Sequence, residues 1–175
     1  MAEIDHWHPV LLEREVGDEP IAVRLCGRDL VVFRGANGRI AALEDVCPHR
    51  GMRLSRGSIE NGNIVCPYHG WAFDTDGRAV VPPARNRHAC AARFDVAVRH
   101  RMVWVRPASS DAPFPRLDLA GFHHVSTFRR EVRAPLELVL DNFIEVEHTP
   151  STHAFLGYPS LEEVATRVEA TDDTV

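Results

Sequence analysis

Lysine is absent from this chain, and every one of its 20 basic residues is arginine. Without a lysine amine, neither Schiff-base nor P-loop chemistry resides in these residues. There is no basic surplus either: 25 acidic residues against 20 basic ones leave a net charge of −5. That balance weighs against nucleic acid as a partner, because phosphate binding shows as a cationic excess. No apolar stretch approaches the roughly 18 residues of a membrane span, so none is expected. The N-terminus, MAEIDHWHPV, has neither a basic n-region nor an apolar h-region and reads as mature cytoplasmic sequence. Cysteine is scarce, at four residues, which excludes a secreted disulfide scaffold and shifts attention to metal binding. Histidine, in contrast, is plentiful at ten.

What is present over the first hundred residues is a series of short apolar runs broken by turn residues. Leu30–Phe33 and Ile40–Leu43 flank Asn37-Gly38, the pattern of a hairpin. Asn61-Gly62 precedes Ile64-Val65, and Asp76-Gly77 separates Trp71–Phe73 from Ala79–Val81. Phe94, Val96 and Val98 alternate, and Met102–Val105 is another apolar run. The pattern predicts a mainly β fold, a small antiparallel domain. Residues 107–115, with three Pro and two Ser, read as a linker or domain edge. Phe122–Phe128 is expected to be a strand. Leu136, Val139, Leu140, Phe143 and Ile144 recur at helical spacing and predict a helix with Pro135 at its first position and its end near Thr149, before Pro150.

Two constellations carry chemistry. The first is Cys47-Pro48-His49-Arg50-Gly51 with Cys66-Pro67-Tyr68-His69-Gly70-Trp71, that is C-x-H, sixteen residues, then C-x-x-H. Each segment offers one thiolate and one imidazole, a Pro that extends the backbone of its Cys, and a Gly that permits a tight turn. A two-iron, two-sulfide cluster fits, with Cys47 and Cys66 on one iron and His49 and His69 on the other. Two ferric ions, two sulfides, two thiolates and two neutral imidazoles sum to zero charge, whereas four thiolates would leave −2. An electron enters the neutral core more readily, which matches potentials of about −150 to +300 mV against about −400 mV for plant-type ferredoxins. A structural zinc ion also accepts Cys and His. Zinc modules usually pair like ligands within one knuckle, and here each loop is mixed.

At these residues the chain resembles the Rieske family, over roughly Trp7 to Arg106. It lacks the extra Cys pair of the respiratory branch, so the resemblance is to the oxygenase and ferredoxin branch. Cys26 and Cys90, outside both loops, read as small buried residues. Trp71 and Tyr68 are expected to pack over the loops and exclude water. Arg50 and Arg53 are candidates for a patch that docks an acidic redox partner.

The second constellation is Asp141-Asn142, Glu145, His148 and His153. On a continuous helix Asp141, Glu145 and His148 share one face, and Pro150 lets His153 swing back toward His148. Two His and a carboxylate suit a mononuclear iron with open positions. Alone, such a helix face is more often merely solvated. This segment resembles the iron motif of Rieske non-haem iron oxygenase α subunits. The resemblance implies His148 and His153 as ligands of a mononuclear Fe(II), and Glu145, where the family commonly has Asp, as the acid linking a cluster His of a neighbouring subunit to an iron His. It also implies a Rieske [2Fe-2S] domain over 1–115 and the beginning of an α+β catalytic domain over 116–175. The family's third iron ligand is an acid far downstream; Glu162, Glu163, Glu169, Asp172 and Asp173 do not stand in its context, which suggests a fragment or a truncated or split product. The implied partners are a reductase or ferredoxin electron donor, O2 and a small organic substrate, with a homotrimer as the family's usual assembly. The alternatives are a stand-alone electron-transfer protein and a zinc-binding interaction module.

Overall fold

A computed structural model describes residues 3–81, 89–117, 119–127, 130–145, 148, 152 and 153. In chain order its elements are β1 (His8–Leu12), β2 (Ile21–Leu25), β3 (Arg28–Arg34), β4 (Ile40–Glu44), β5 (Ser58–Glu60), β6 (Asn63–Val65), β7 (Ala72–Phe73), β8 (Ala79–Val81), β9 (Arg93–Arg99), β10 (Met102–Pro107) and α1 (Leu136–Ile144). The chain divides into two compact units, Met1–Asp118 and Leu119–Val175. All the strands among the described residues lie in the first, so the mainly antiparallel β fold expected from the turn spacing is the one observed. No helix among the described residues is long and apolar enough to cross a membrane.

The strands form a six-stranded sheet, β1-β10-β9-β4-β3-β2, and a four-stranded sheet, β5-β6-β7-β8. The run Leu30–Phe33 is apolar throughout because both faces of the large sheet are covered at its centre. Val31, Phe33, Ala41 and Leu43 point into one core with Ile64 and Phe73 of the small sheet. Leu30, Val32, Ile40 and Ala42 point into the other, with Leu11, Phe94, Val103 and Val105. The period of two along a strand sorts neighbours between these cores. Val31 opposite Leu43 and Phe33 opposite Ala41 fix the register. Pro9 is tolerated because β1 is an edge strand. The Asn61-Gly62 turn has both residues left-handed, φ 50° and 76°, which is the twist a two-residue hairpin needs.

Three sequence expectations change. Phe122–Thr127 carries no strand; a β run gains stability only from a ladder partner, and none pairs with it among the described residues. Cys26 and Cys90 are exposed rather than buried. Cys26 sits in the tight β2–β3 turn with a left-handed backbone, φ 46°, and Cys90 lies in an isolated bridge to Arg78 outside both sheets. Finally, α1 stops at Ile144, with Pro135 as its N-cap rather than its first residue.

The proline-rich segment after β10 packs back on the β unit. Ser110 Oγ donates to Asp5 O at 2.5 Å. Trp7 Nε1 donates to Ala112 O at 3.2 Å, and the Arg106 guanidinium donates to the same oxygen. Phe114 lies against Trp7 and Trp104, with ring centroids 5.5 and 5.1 Å apart.

Candidate metal centre

Two loops carry the first constellation, one leaving β4 and one leaving β6. They share a backbone frame. In the first, Cys47 N–H donates to Met52 O at 2.8 Å and Gly51 N–H to Cys47 O at 2.9 Å. In the second, Cys66 N–H donates to Trp71 O at 2.7 Å and Gly70 N–H to Cys66 O at 3.1 Å. Gly51 and Gly70 close these turns at φ 71° and 68°, where a side chain is strained. Open space surrounds both glycines, so it is the turn, not close packing, that calls for glycine.

The frame places sulfur inward and nitrogen outward. Cys47 and Cys66 are each 2% exposed and belong to the core of Val31, Phe33, Leu54, Ile64 and Phe73. Burial pushes the Cys47 thiol up, the more so because it faces Cys66, while hydrogen bonds from the backbone of His49 and Arg50 pull it back. Those backbone donors favour a thiolate at Cys47. The His49 and His69 rings lie side by side, centroids 4.7 Å apart. Desolvation, then the charges of His69 and Arg50, hold His49 below its ordinary value, which favours the neutral imidazole that binds metal.

The aromatic residues treat the two imidazoles differently. Trp71 stacks on His49 at 4.6 Å and an interplanar angle of 10°. It is itself 8% exposed, so its indole closes the inner face of His49 as expected. Tyr68 lies 3.9 Å from His69 but is 59% exposed, so it covers the ring without excluding water. Replacing Trp71 with Ala is expected to cost about 3–5 kcal/mol, as for other buried aromatics, read as a lower urea midpoint at unchanged m.

Among the described residues, no three His, Cys, Asp or Glu side chains converge on a point that would hold a single ion. The thiols form one pair and the imidazoles another. A zinc tetrahedron needs four donors around one point, whereas a two-iron core needs separated pairs. The donor set and its arrangement therefore fit a [2Fe-2S] cluster.

The second constellation is assembled by a turn, not by a helix face. Glu145 is the C-cap of α1, with φ −74° and ψ 127°, so the shared face of Asp141, Glu145 and His148 does not form. Asp141 and Asn142 are exposed on the last turn of the helix. Glu145 instead folds its carboxylate over the next residues: Oε1 accepts from His148 N–H at 2.9 Å and Oε2 meets His148 Nδ1 at 2.8 Å. The extended cap residue and this side-chain bond end the helix early. His148 and His153 do come together, ring centroids 5.5 Å apart at 71°. The acids Glu162, Glu163, Glu169, Asp172 and Asp173 lie outside the described residues.

Arg53 pairs through its guanidinium with Asp29 at 2.6 Å. Sequence reasoning missed Asp45, whose side chain is buried two residues before Cys47; an acid next to a metal-loop cysteine is the signal that was there.

Residues 6–99 match the Rieske [2Fe-2S] domain model, and the chain belongs to that family. It is 37% identical over 163 residues to the vanillate O-demethylase oxygenase subunit of Pseudomonas sp. (strain ATCC 19151), covering 83% of this chain and 47% of that protein. It is 34% identical to the phthalate 4,5-dioxygenase oxygenase subunit of Pseudomonas putida, covering 85% of this chain and 37% of that one. Among solved structures, Pseudomonas putida CBB5 NdmA (QL mutant, with theobromine) superposes with a TM-score of 0.77 at 29% identity, over 88% of this chain and 51% of that one. The chain thus spans about half or less of the length of these relatives.

Proposed function

We propose that this chain is the electron-receiving part of a Rieske oxygenase, with Cys47 and Cys66 holding one iron of a [2Fe-2S] cluster and His49 and His69 the other. The observation that carries the reading is the pair of buried thiols set behind a pair of outward imidazoles on two loops of one backbone frame. The cluster supplies one-electron storage at a potential that four thiolates would not give. The chain's own residues do the rest. The backbone N–H groups of His49 and Arg50 hold charge on the Cys47 sulfur, and Trp71 keeps water from the inner face of His49. His69, on the exposed side, is placed to hydrogen-bond a partner carboxylate through its free ring nitrogen.

His148 and His153 are proposed as two ligands of a mononuclear Fe(II), with an acid as the third. The Glu145 carboxylate at His148 Nδ1 fixes the tautomer that leaves Nε2 free for a metal. Residues 116–175 are read as the start of the catalytic domain. In support, α1 exposes Leu136, Leu138, Leu140, Phe143 and Ile144, side chains that a larger domain would bury. The whole protein would take electrons from a reductase or ferredoxin and use O2 to hydroxylate an aromatic or other organic substrate, in the cytoplasm and as a trimer. A stand-alone electron carrier has no use for residues 116–175, and nothing in the metal centre favours zinc. In the protein carrying the complete catalytic domain, the double variant His148→Ala, His153→Ala is expected to lose one iron per chain and all turnover while its cluster absorbance stays. Cluster loss in that variant, or retained turnover, would count against the assignment.

A further inference from the structure

Asp45 is the one charged side chain buried among the described residues, at 1% exposure. Its two carboxylate oxygens are both committed to one residue: Oδ1 accepts from Ser55 N–H at 2.7 Å and Oδ2 from Ser55 Oγ at 2.6 Å. Asp45 and Ser55 bracket the loop that carries Cys47 and His49, so the carboxylate closes that loop at its base. The backbone of Asp45 is tied to the large sheet, donating to Asp29 O at 2.9 Å.

Ser55 sits in the 3₁₀ turn Leu54–Arg56, which touches the base of the other loop as well. Gly57 N–H closes the turn on Leu54 O at 2.9 Å. A Cβ at Gly57 would stand 1.8 Å from Val65 O, and Ser58 pairs with Val65 in the ladder. Val65 immediately precedes Cys66. Leu54 is buried in the core that holds both cysteines, and Arg53, at the head of the turn, is anchored to Asp29. The 3₁₀ turn is therefore a strut. Its Ser55 is bonded to the start of one cysteine loop and its Gly57 is pressed against the start of the other. The second loop has no side-chain clasp of its own among the bonds described.

We propose that Asp45 and Ser55 are positioning residues that set the separation of the Cys47 and Cys66 sulfurs through this strut, so that the two loops are held ready for the cluster. The inference rests on the [2Fe-2S] reading. A carboxylate that accepts two bonds in a water-poor core is stiff, because either bond lost leaves a buried charge short of a partner.

The test uses the complete chain purified with its cluster, with Ser55→Ala, Asp45→Ala and the conservative Ser55→Thr, which keeps both donors. A ferrous chelator is expected to strip iron from Ser55→Ala and Asp45→Ala about tenfold faster than from the unsubstituted chain, the factor that one lost hydrogen bond to a charged group supplies. The g-values of the reduced cluster are expected to shift in both and to return in Ser55→Thr. Amide protection in β9 and β10 is expected to stay unchanged. Unchanged stripping rates and g-values in Ser55→Ala would overturn the proposal, as would a loss of protection spread over β9 and β10, which would make the pair merely structural. An unsubstituted chain without any cluster would instead overturn the reading beneath it.

Discussion

A Cys66→Ser chain is expected to purify colourless, its iron falling from two atoms per chain to almost none. The serine hydroxyl does not ionise in a buried site, so one iron loses an anionic ligand and the core loses its inner anchor. The fold itself should persist. The loop is closed by backbone bonds, Cys66 N–H to Trp71 O and Gly70 N–H to Cys66 O, and the substitution leaves them in place. Circular dichroism at wild-type strength together with lost visible absorbance is the expected pair of results. Cys47→Ser should behave alike, because both sulfurs are buried in one core. Full iron content in either variant would remove that cysteine from the ligand set.

Exchanging the outer ligands should move the potential instead of abolishing the centre. In the double variant His49→Cys, His69→Cys the oxidised core goes from neutral to −2, so adding an electron becomes harder. The midpoint is expected to fall from the window of about −150 to +300 mV toward about −400 mV. Either single substitution should give an intermediate value, with His69→Cys better tolerated: its ring is exposed, whereas His49 is stacked on Trp71 at 4.6 Å. A redox titration followed by EPR reads the effect. A double variant that binds its cluster and stays within about 60 mV of the parent, tenfold in a one-electron equilibrium, would show that the imidazoles are not ligands.

Much of the centre was legible because its donors lie in two contiguous segments. CPHRG and CPYHGW declare their donors, and their glycines declare the turns that close both loops. The large sheet was legible too, since Asn37-Gly38 and the flanking apolar runs have a single economical pairing. What the sequence hid were contacts between distant residues. The clasp of Asp45 on Ser55 requires the base of a loop to meet a 3₁₀ turn, and no periodicity announces that. The segment 107–115 has the composition of a linker, yet Trp7, Trp104 and Arg106 hold it down. The helix end at Ile144 departs from the expectation because Pro150 was the only stop signal the sequence offered, whereas the Glu145 side chain bonds His148 and ends the helix earlier. Phe122–Phe128 has strand composition, but composition supplies no ladder partner.

The most direct test is elemental analysis of the anaerobically purified chain for iron, acid-labile sulfide and zinc, with EPR after reduction. Two irons and two sulfides per chain, with a low-average-g signal, is the expected result. Stoichiometric zinc with no cluster signal would contradict it.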